Sequence, residues 1–274
     1  MGPTISPPSW IARSSRRLQP LALAALLCAA GAARADDPEA FLAGTTKSCI
    51  ECDLAGRDLA GRDLQRAKLD RAKLAGANMS GADLFRASLA RADLKGAKLA
   101  DANLNLIDGK GADLTGADMS RALMFDADLS AANLAGANLR AARLGRARLN
   151  AANLAGADLA GADLREARLA GAKLAGAGMR GVTLDGENLR EADLHGIDFT
   201  FSDMVETDLA GANLRGAQLA GVNLYGANLH GADLTGANLE GANLENAILS
   251  DALTEGAKFD AAIMPDGHRA QEGN

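Results

Sequence analysis

Residues 152–164 read Ala-Asn-Leu-Ala-Gly-Ala-Asp-Leu-Ala-Gly-Ala-Asp-Leu, and this five-residue motif decides the fold of the chain. From Leu54 to Met264 every fifth position is a central position of the motif, which makes 43 consecutive pentapeptides. Leu, Met or Phe occupies 41 of the 43 centres, and only Gly109 and Thr254 differ. A small residue stands two positions before most centres, and it is Ala 33 times. An unbroken register of this length predicts one solenoid rather than two ordinary domains.

A period of five fits neither an α-helix nor a flat strand. Five helical residues turn about 500°, so successive leucines would spread around the whole helix. A strand needs apolar residues at a constant spacing of two, whereas here the spacings alternate between two and three. The pattern predicts short straight sides joined by corners, with Ala and Leu pointing inward. Gly commonly stands at the corner, as at Gly156 and Gly236, where it can adopt positive φ. Four sides of five residues predict a coil of about twenty residues and a total of about eleven coils.

The tandem Ala-(Asp/Asn)-Leu-x-Gly array over residues 52–264 resembles the pentapeptide-repeat family. The resemblance implies an all-β fold, the right-handed quadrilateral β-helix. It implies little about activity, because one fold can carry many functions. Some members of the family mimic DNA and protect a type II topoisomerase, which makes that role an alternative for this chain.

Residues 1–35 have the features of a secretory signal peptide. Three arginines, Arg13, Arg16 and Arg17, precede an apolar run from Leu21 to Ala33 that is short for a membrane span. Ala33-Arg34-Ala35 places small residues at both specificity positions of a cleavage site, so we expect cleavage after Ala35 and a periplasmic or secreted protein. An uncleaved anchor is the less favoured alternative, and the choice between Sec and twin-arginine export stays open.

Two short segments flank the array. In residues 36–51 the sequence predicts a capping helix, with Asp37 as N-cap, Pro38 at the first position and Gly44 at the end. Phe41 and Leu42 would close the apolar end of the first coil. Residues 265–274 are polar, and we expect a disordered tail there.

Charge is distributed unevenly along the chain. Residues 36–180 carry 21 basic and 19 acidic side chains, whereas residues 181–264 carry 3 basic and 14 acidic ones. The acidic part disfavours nucleic acid and anionic membranes as partners. Its simplest role is solubility of a solenoid rich in strand edges.

Cys49 and Cys52 both lie at positions that point into the first coil. The resemblance supports a packing role for this pair, and export would also permit a disulfide. A redox role is disfavoured because no helix of an α/β unit follows the pair. No further Cys or His lies nearby to complete a zinc site. We therefore expect no metal and no cofactor.

Among the inward positions that depart from the repeat, four predict a local change of structure. Arg57 and Arg62 predict a first coil that is splayed or whose arginines reach its open end. Gly109 predicts a gap at a centre, unless Ile107 and Leu106 rearrange to fill it. Glu187 predicts a bent corner or a raised pKa, with a local distortion that exposes the carboxylate as the favoured outcome.

Outward aromatic residues are the best candidates for partner contact. Phe85, Phe125 and Tyr225 follow centres in one column of one side, and Phe201 is placed on the neighbouring side. Their apolar area favours a protein interface, although scattered surface residues would look the same.

The sequence contains no convergent catalytic group, since His195, His230 and His268 lie on different sides or in the tail. We expect an exported, non-enzymatic scaffold of the cell envelope that binds an unidentified protein. It would be a monomer or weak dimer, would bind no nucleic acid and would keep no membrane span after cleavage. The alternatives are the DNA-mimicking topoisomerase protector and a redox or enzyme-accessory protein using Cys49 and Cys52.

Overall fold

The computed structural model describes residues 37–271, which belong to one compact unit, Ala35–Asn274. The predicted signal peptide lies outside the described residues. Within them the only helix is α1, Pro38–Leu42. Parallel β-bridges join residues that are twenty apart, beginning with Ser48 to Lys68 and continuing to Asn243 and Ile263. Twenty residues therefore make one coil, with four bridged sides.

Each side is shorter than an ordinary strand. The residue before a centre forms the bridge, and the two residues after the centre form a turn, so no continuous strand occurs in residues 37–271. Neighbouring coils are held by backbone hydrogen bonds on both flanks of each bridge. Asn153 N donates to Ala132 O at 2.9 Å, and Leu154 N donates to Lys173 O at 2.8 Å. The array is thus a β-helix built of isolated bridges rather than of extended strands.

The core consists of the centres and of the small residues two positions earlier. Ala152, Leu154, Ala157 and Leu159 all have no exposed surface, and the same holds along most of the array. Burial of each leucine contributes roughly 1.5–3 kcal/mol. The inward residues that the spacing of two and three predicted are therefore buried in the structure.

Corners adopt the left-handed conformation whatever residue occupies them. Gly156 has φ 67°, as expected, but twenty residues other than Gly also have positive φ, among them Arg66 at 56° and Ala141 at 53°. Such a backbone costs roughly 1–2 kcal/mol for a residue with a Cβ. The ladder compensates, because the corner amide itself donates between coils: Ala141 N bonds to Ala160 O at 2.9 Å.

Asp and Asn before the centres stabilise the turns and link the coils. Asn153 Oδ1 accepts a hydrogen bond from Ala155 N at 3.2 Å, which is the local bond expected for these residues. The side-chain nitrogen Asn153 Nδ2 also donates to Asn133 Oδ1, one coil earlier, at 2.9 Å. The polar position therefore serves both the turn and the stacking.

Helix α1 has the expected end signals. The Asp37 carboxylate accepts from Glu39 N and Ala40 N, and Phe41 is buried in the same cluster as the first coil. The two unusual arginines extend toward this segment: Arg57 Nη2 lies 3.2 Å from Glu39 Oε1, and Arg62 donates to Leu42 O. Both arginines therefore reach the open end of the first coil, which is the second of the two structures predicted for them.

The C-terminal segment departs from the prediction of a disordered tail. Ile263 forms an antiparallel bridge with Arg269, and Ala270 N donates to Ala262 O at 2.8 Å. The chain reverses near Gly267, which has φ 83°. A polar composition was a poor guide here, because the unpaired backbone of the last coil offers hydrogen bonds to the returning segment. Residues 272–274 lie outside the described range.

The gap expected at Gly109 is almost closed. A Cβ at this position would lie 2.9 Å from Leu129 Cδ2 and 3.5 Å from Ile107 Cδ1, so both side chains occupy the missing volume. Leu106 does not take part, because it is at the corner and 38% exposed. The rearrangement therefore uses Ile107 and a leucine of the next coil.

Candidate functional site

The outward aromatic residues form what we call the aromatic face: Phe85, Phe125 and Tyr225 in one column, with Phe201 at the adjoining corner. Phe125 is 45% exposed, Tyr225 39% and Phe201 65%, whereas Phe85 is half-buried. Phe201 lies at a corner with φ 59°, two residues after the centre Phe199.

Each phenylalanine of this face carries an arginine over its ring. The guanidinium carbons of Arg86, Arg146 and Arg180 lie 5.3, 5.2 and 5.3 Å from the ring centroids of Phe85, Phe125 and Phe201. Such cation–π contacts stabilise exposed pairs by about 0.5–1 kcal/mol. The pairing gives the face both apolar area and positive charge, a combination enriched in protein-binding hot spots.

Small neighbours leave room beside two of the rings. A Cβ on Gly145 would lie 3.3 Å from Phe125, and a Cβ on Gly221 would lie 2.6 Å from the Phe201 ring. Both rings therefore occupy the space that a side chain on the glycine of the next coil would need. A shallow cleft of about 450 Å³ adjoins Phe125 and is also lined by Arg143, Asp163 and Arg165.

Cys49 and Cys52 are joined by a disulfide in the structure, with their Cα atoms 5.2 Å apart. Both are buried, at 0% and 5% exposure, so the pair also packs in the first coil. A buried disulfide leaves no thiolate free for redox chemistry.

Glu187 occupies an inward position that is Ala in most repeats. It is only 5% exposed, so the expectation that a distortion would expose it is wrong. Burial raises the pKa of this carboxyl group to about 7, although the nearby amides of Ala167 and Glu166 act in the opposite direction. The Glu166 carboxylate adds like-charge repulsion, which raises the pKa further.

A local opening of the ladder surrounds Glu187. Where another coil follows, the amide of nearly every centre donates to it, but within residues 37–271 no backbone oxygen accepts from the amides of Leu169 or Leu174. The bridges expected from Arg168 to Asn188 and from Lys173 to Asp193 are also absent in this described range. We call this opening, between residues 166–179 and residues 185–198, the seam.

Further backbone groups are unpaired along the seam. In the described chain no bond between coils forms from the corner amides of Gly171 and Gly176, nor from the amides of Asn188 and Asp193, whereas the Glu166 amide donates to the Glu187 carboxylate one coil later. The seam encloses a cleft of about 670 Å³. The sequence identified Glu187 as irregular, but nothing in the five-residue pattern indicated that two sides of the coil would open.

The histidines do not form a catalytic group. His195 contacts Asp193 at 2.7 Å, and His230 contacts Ser250 at 3.0 Å. His268 lies 3.4 Å from Asp266, near the end of the array. Among the residues that the structure describes, no cluster of three or more His, Cys, Asp or Glu could hold a metal ion.

These features define a solenoid protein with a regular four-sided core and candidate binding surfaces on its exterior. A family model described as pentapeptide repeats matches the chain in eight copies, over residues 48–85, 87–124, 122–150, 147–186, 179–216, 212–251 and 237–264. The chain therefore belongs to the pentapeptide-repeat family, whose fold is the right-handed quadrilateral β-helix. Comparison with curated protein sequences finds no match.

Several solved structures are similar to this chain. HetL, a pentapeptide repeat protein involved in heterocyst differentiation regulation in the cyanobacterium Nostoc, is 31% identical, with 85% of this chain and 97% of HetL covered and a TM-score of 0.36. A protein of the Arabidopsis thaliana thylakoid lumen is 30% identical, with coverages of 48% and 70% and a TM-score of 0.17. QnrB1, a plasmid-mediated fluoroquinolone resistance protein, is 19% identical, with coverages of 74% and 91% and a TM-score of 0.23.

Proposed function

We propose that this chain is an exported, non-enzymatic scaffold of the cell envelope that binds a protein through its aromatic face. The observation that carries the proposal is the set of three outward phenylalanines, each with an arginine over its ring. In this proposal residues 52–264 form about eleven coils, α1 caps their first coil, and the molecule is a monomer or weak dimer.

The layout of the face sets the kind of partner. Phe85 and Phe125 are two coils apart, roughly 10 Å along the solenoid, and Tyr225 lies five coils further, roughly 24 Å. One extended protein surface could contact all of them, with Phe125 and its adjoining cleft as the central anchor. Rigid aromatic side chains bury large apolar area at low entropic cost.

Export is supported by the N-terminal sequence and by the disulfide. Disulfides persist in oxidising compartments, and Cys49–Cys52 is such a bond in the structure. No helix among the described residues is long and apolar enough to cross a bilayer. Fractionation of the source cells with mass measurement of the N-terminus tests export directly. We expect a periplasmic or secreted chain that begins at Asp36, and a cytoplasmic protein that retains Met1 would refute this part of the proposal.

A variant of the aromatic face tests binding. Phe85, Phe125, Phe201 and Tyr225 are each replaced by Ser, and a control variant replaces Ile248 and Leu253 by Ser. The two control residues are exposed apolar side chains outside the face, at 50% and 58%. Proximity labelling and crosslinking in the envelope fraction should identify a partner that the wild type and the control retain and the face variant loses. Equal capture of the partner by the wild type, the face variant and the control would refute binding through the aromatic face.

A DNA-mimicking role is the second candidate, because the acidic region carries exposed carboxylates. Glu191, Glu206, Glu240, Glu245 and Glu255 are all exposed. A supercoiling assay with a type II topoisomerase and a quinolone distinguishes the two candidates. The scaffold proposal expects no protection by the mature protein, whereas protection that is lost on neutralising these carboxylates would establish the second candidate.

A further inference from the structure

The seam exposes two complementary rims of backbone. On the upstream rim the unpaired amides belong to Leu169, Gly171, Leu174 and Gly176, and Ala167 O and Ala172 O accept no bond from the next coil. On the downstream rim the amides of Asn188 and Asp193 are unpaired, within the part of the chain that the structure describes. Donors and acceptors therefore alternate along each rim as they do along a strand edge.

The opening is local and has an identifiable cause. The bridges from Asp163 to Thr183 and from Gly178 to Asp198 remain on either side of it. Glu187 lies in the inward position between them, with its carboxylate near the amides of Ala167 and Glu166. A side chain of this length needs more volume than the usual Ala, and we take Glu187 as the wedge that separates the coils at this point.

We infer that the seam is a binding site for an extended peptide segment, which pairs its backbone with the two open rims. A peptide in extended conformation presents the alternating N–H and C=O groups that both rims lack. Addition of a strand to an open edge is an established mode of peptide recognition. The cleft of about 670 Å³ lies within the range of ligand sites.

The side chains of the cleft indicate the chemistry of the peptide. Leu169, Leu174 and Leu189 line it and remain largely buried, while Ala172 and Ala192 are half-buried. Its charged lining residues are of both signs: Glu166, Arg168, Glu187, Arg190, Glu191 and Asp193. Arg190 is already paired with Asp208 at 3.1 Å, and Asp193 with His195. The lining carries four acidic and two basic side chains, so the best fit is a segment that has no acidic residues and has small or apolar side chains to contact these leucines and alanines.

The seam and the aromatic face lie on different sides of the coil, although Glu166 lines both the cleft of the seam and the cleft beside Phe125. The open sides of the seam carry the bridging residues Arg168 and Lys173, whereas the aromatic column follows the centres of a different side. The seam can therefore bind a peptide whether or not the aromatic face binds a protein, and each site can fail its test independently.

A defined peptide probe tests the inference. We choose acetyl-Ala-Ala-Asn-Leu-Ala-Gly-amide, which is residues 151–156 of this chain, and a control peptide with the same side chains and N-methyl groups on the Asn and Leu amides. The readout is hydrogen exchange and amide chemical shift at Leu169, Gly171 and Leu174 in the intact mature protein. At peptide concentrations above about 1 mM we expect exchange at these amides to slow by about tenfold or more. The N-methylated peptide should give no protection, because it cannot pair with both rims.

Two variants of Glu187 distinguish a seam that binds peptide from an opening that only contains water. Glu187→Ala should close the seam, so the same amides should be protected without peptide and should not respond to it. Glu187→Gln keeps the length of the side chain and should retain peptide binding. Absence of protection by the probe in the wild type, or equal protection by both peptides, would overturn the inference. If Glu187→Ala leaves these amides unprotected, the Glu187 side chain is not the cause of the opening. The comparison of the two peptides in the wild type still decides whether the seam binds a peptide.

Discussion

Replacement of Glu187 by Ala should stabilise the protein, and by more at high pH than at low pH. Burial raises the pKa of Glu187 from 4.5 to about 7, so the folded state favours the protonated carboxyl more than the unfolded state does. The wild type consequently loses stability as the pH rises from about 4.5 to about 7, and the loss is complete above that window. The Ala variant lacks this loss.

The magnitude follows from the shift. One pKa unit corresponds to 1.36 kcal/mol, so the full shift would be worth about 3 kcal/mol. The open cleft keeps water near the carboxyl group, and we therefore expect a pH-dependent gain of about 2 kcal/mol for Glu187→Ala between pH 4.5 and pH 8. Closure of the seam adds a pH-independent gain, since each restored backbone bond contributes about 0.5–1.5 kcal/mol net of its bond to water.

Urea denaturation followed by circular dichroism at pH 5 and pH 8 measures both contributions. Glu206→Ala is the matched control, because this substitution removes the same charge at an exposed corner residue, which has φ 56°. Its effect should be small at both values of pH. A Glu187→Ala variant that is less stable than the wild type at pH 8, or whose advantage does not grow with pH, would refute the account of a buried and destabilising carboxylate.

Three further predictions concern the repeat itself. Leu159→Asp should prevent stable folding, since it places an unpaired charge in the core, whereas Ala160→Asp on the outer surface should cost less than about 1 kcal/mol in urea denaturation. Replacing Cys49 and Cys52 by Ala, which buries no hydroxyl group, should cost about 2 kcal/mol or less, because the loop that the disulfide closes is short. A larger loss by the same assay would show that the pair does more than close this loop. Ala141→Gly should raise stability by up to about 1 kcal/mol, because Ala141 has φ 53° and Gly has no Cβ penalty there. A thermal midpoint below that of the wild type would contradict the strain at this corner.

The sequence by itself determined the repeating part of the fold. A large apolar residue at every fifth position excludes a helix and a flat strand, and it leaves a coil whose inward residues are known in advance. Leu154 and Leu159 are buried as that pattern requires, and Asp37 caps α1 as its type and position predicted. These features are local or periodic, so each follows from the residue and its few neighbours. The export signal and the aromatic face stay predictions, because they concern partners and compartments.

Other features required the tertiary structure. Arg57 and Arg62 find their partners in α1, at the end of the coil. Residues 266–270 turn back onto the last coil because its backbone is unpaired. The left-handed conformation at Ala141 is imposed by a hydrogen bond to Ala160 in the next coil, against its own preference. At Glu187 the pattern revealed one wrong residue, but only the stacking of two coils decided that the backbone would separate around a buried carboxylate instead of turning it out to solvent, since closing the ladder and keeping that side chain inside compete for the same space.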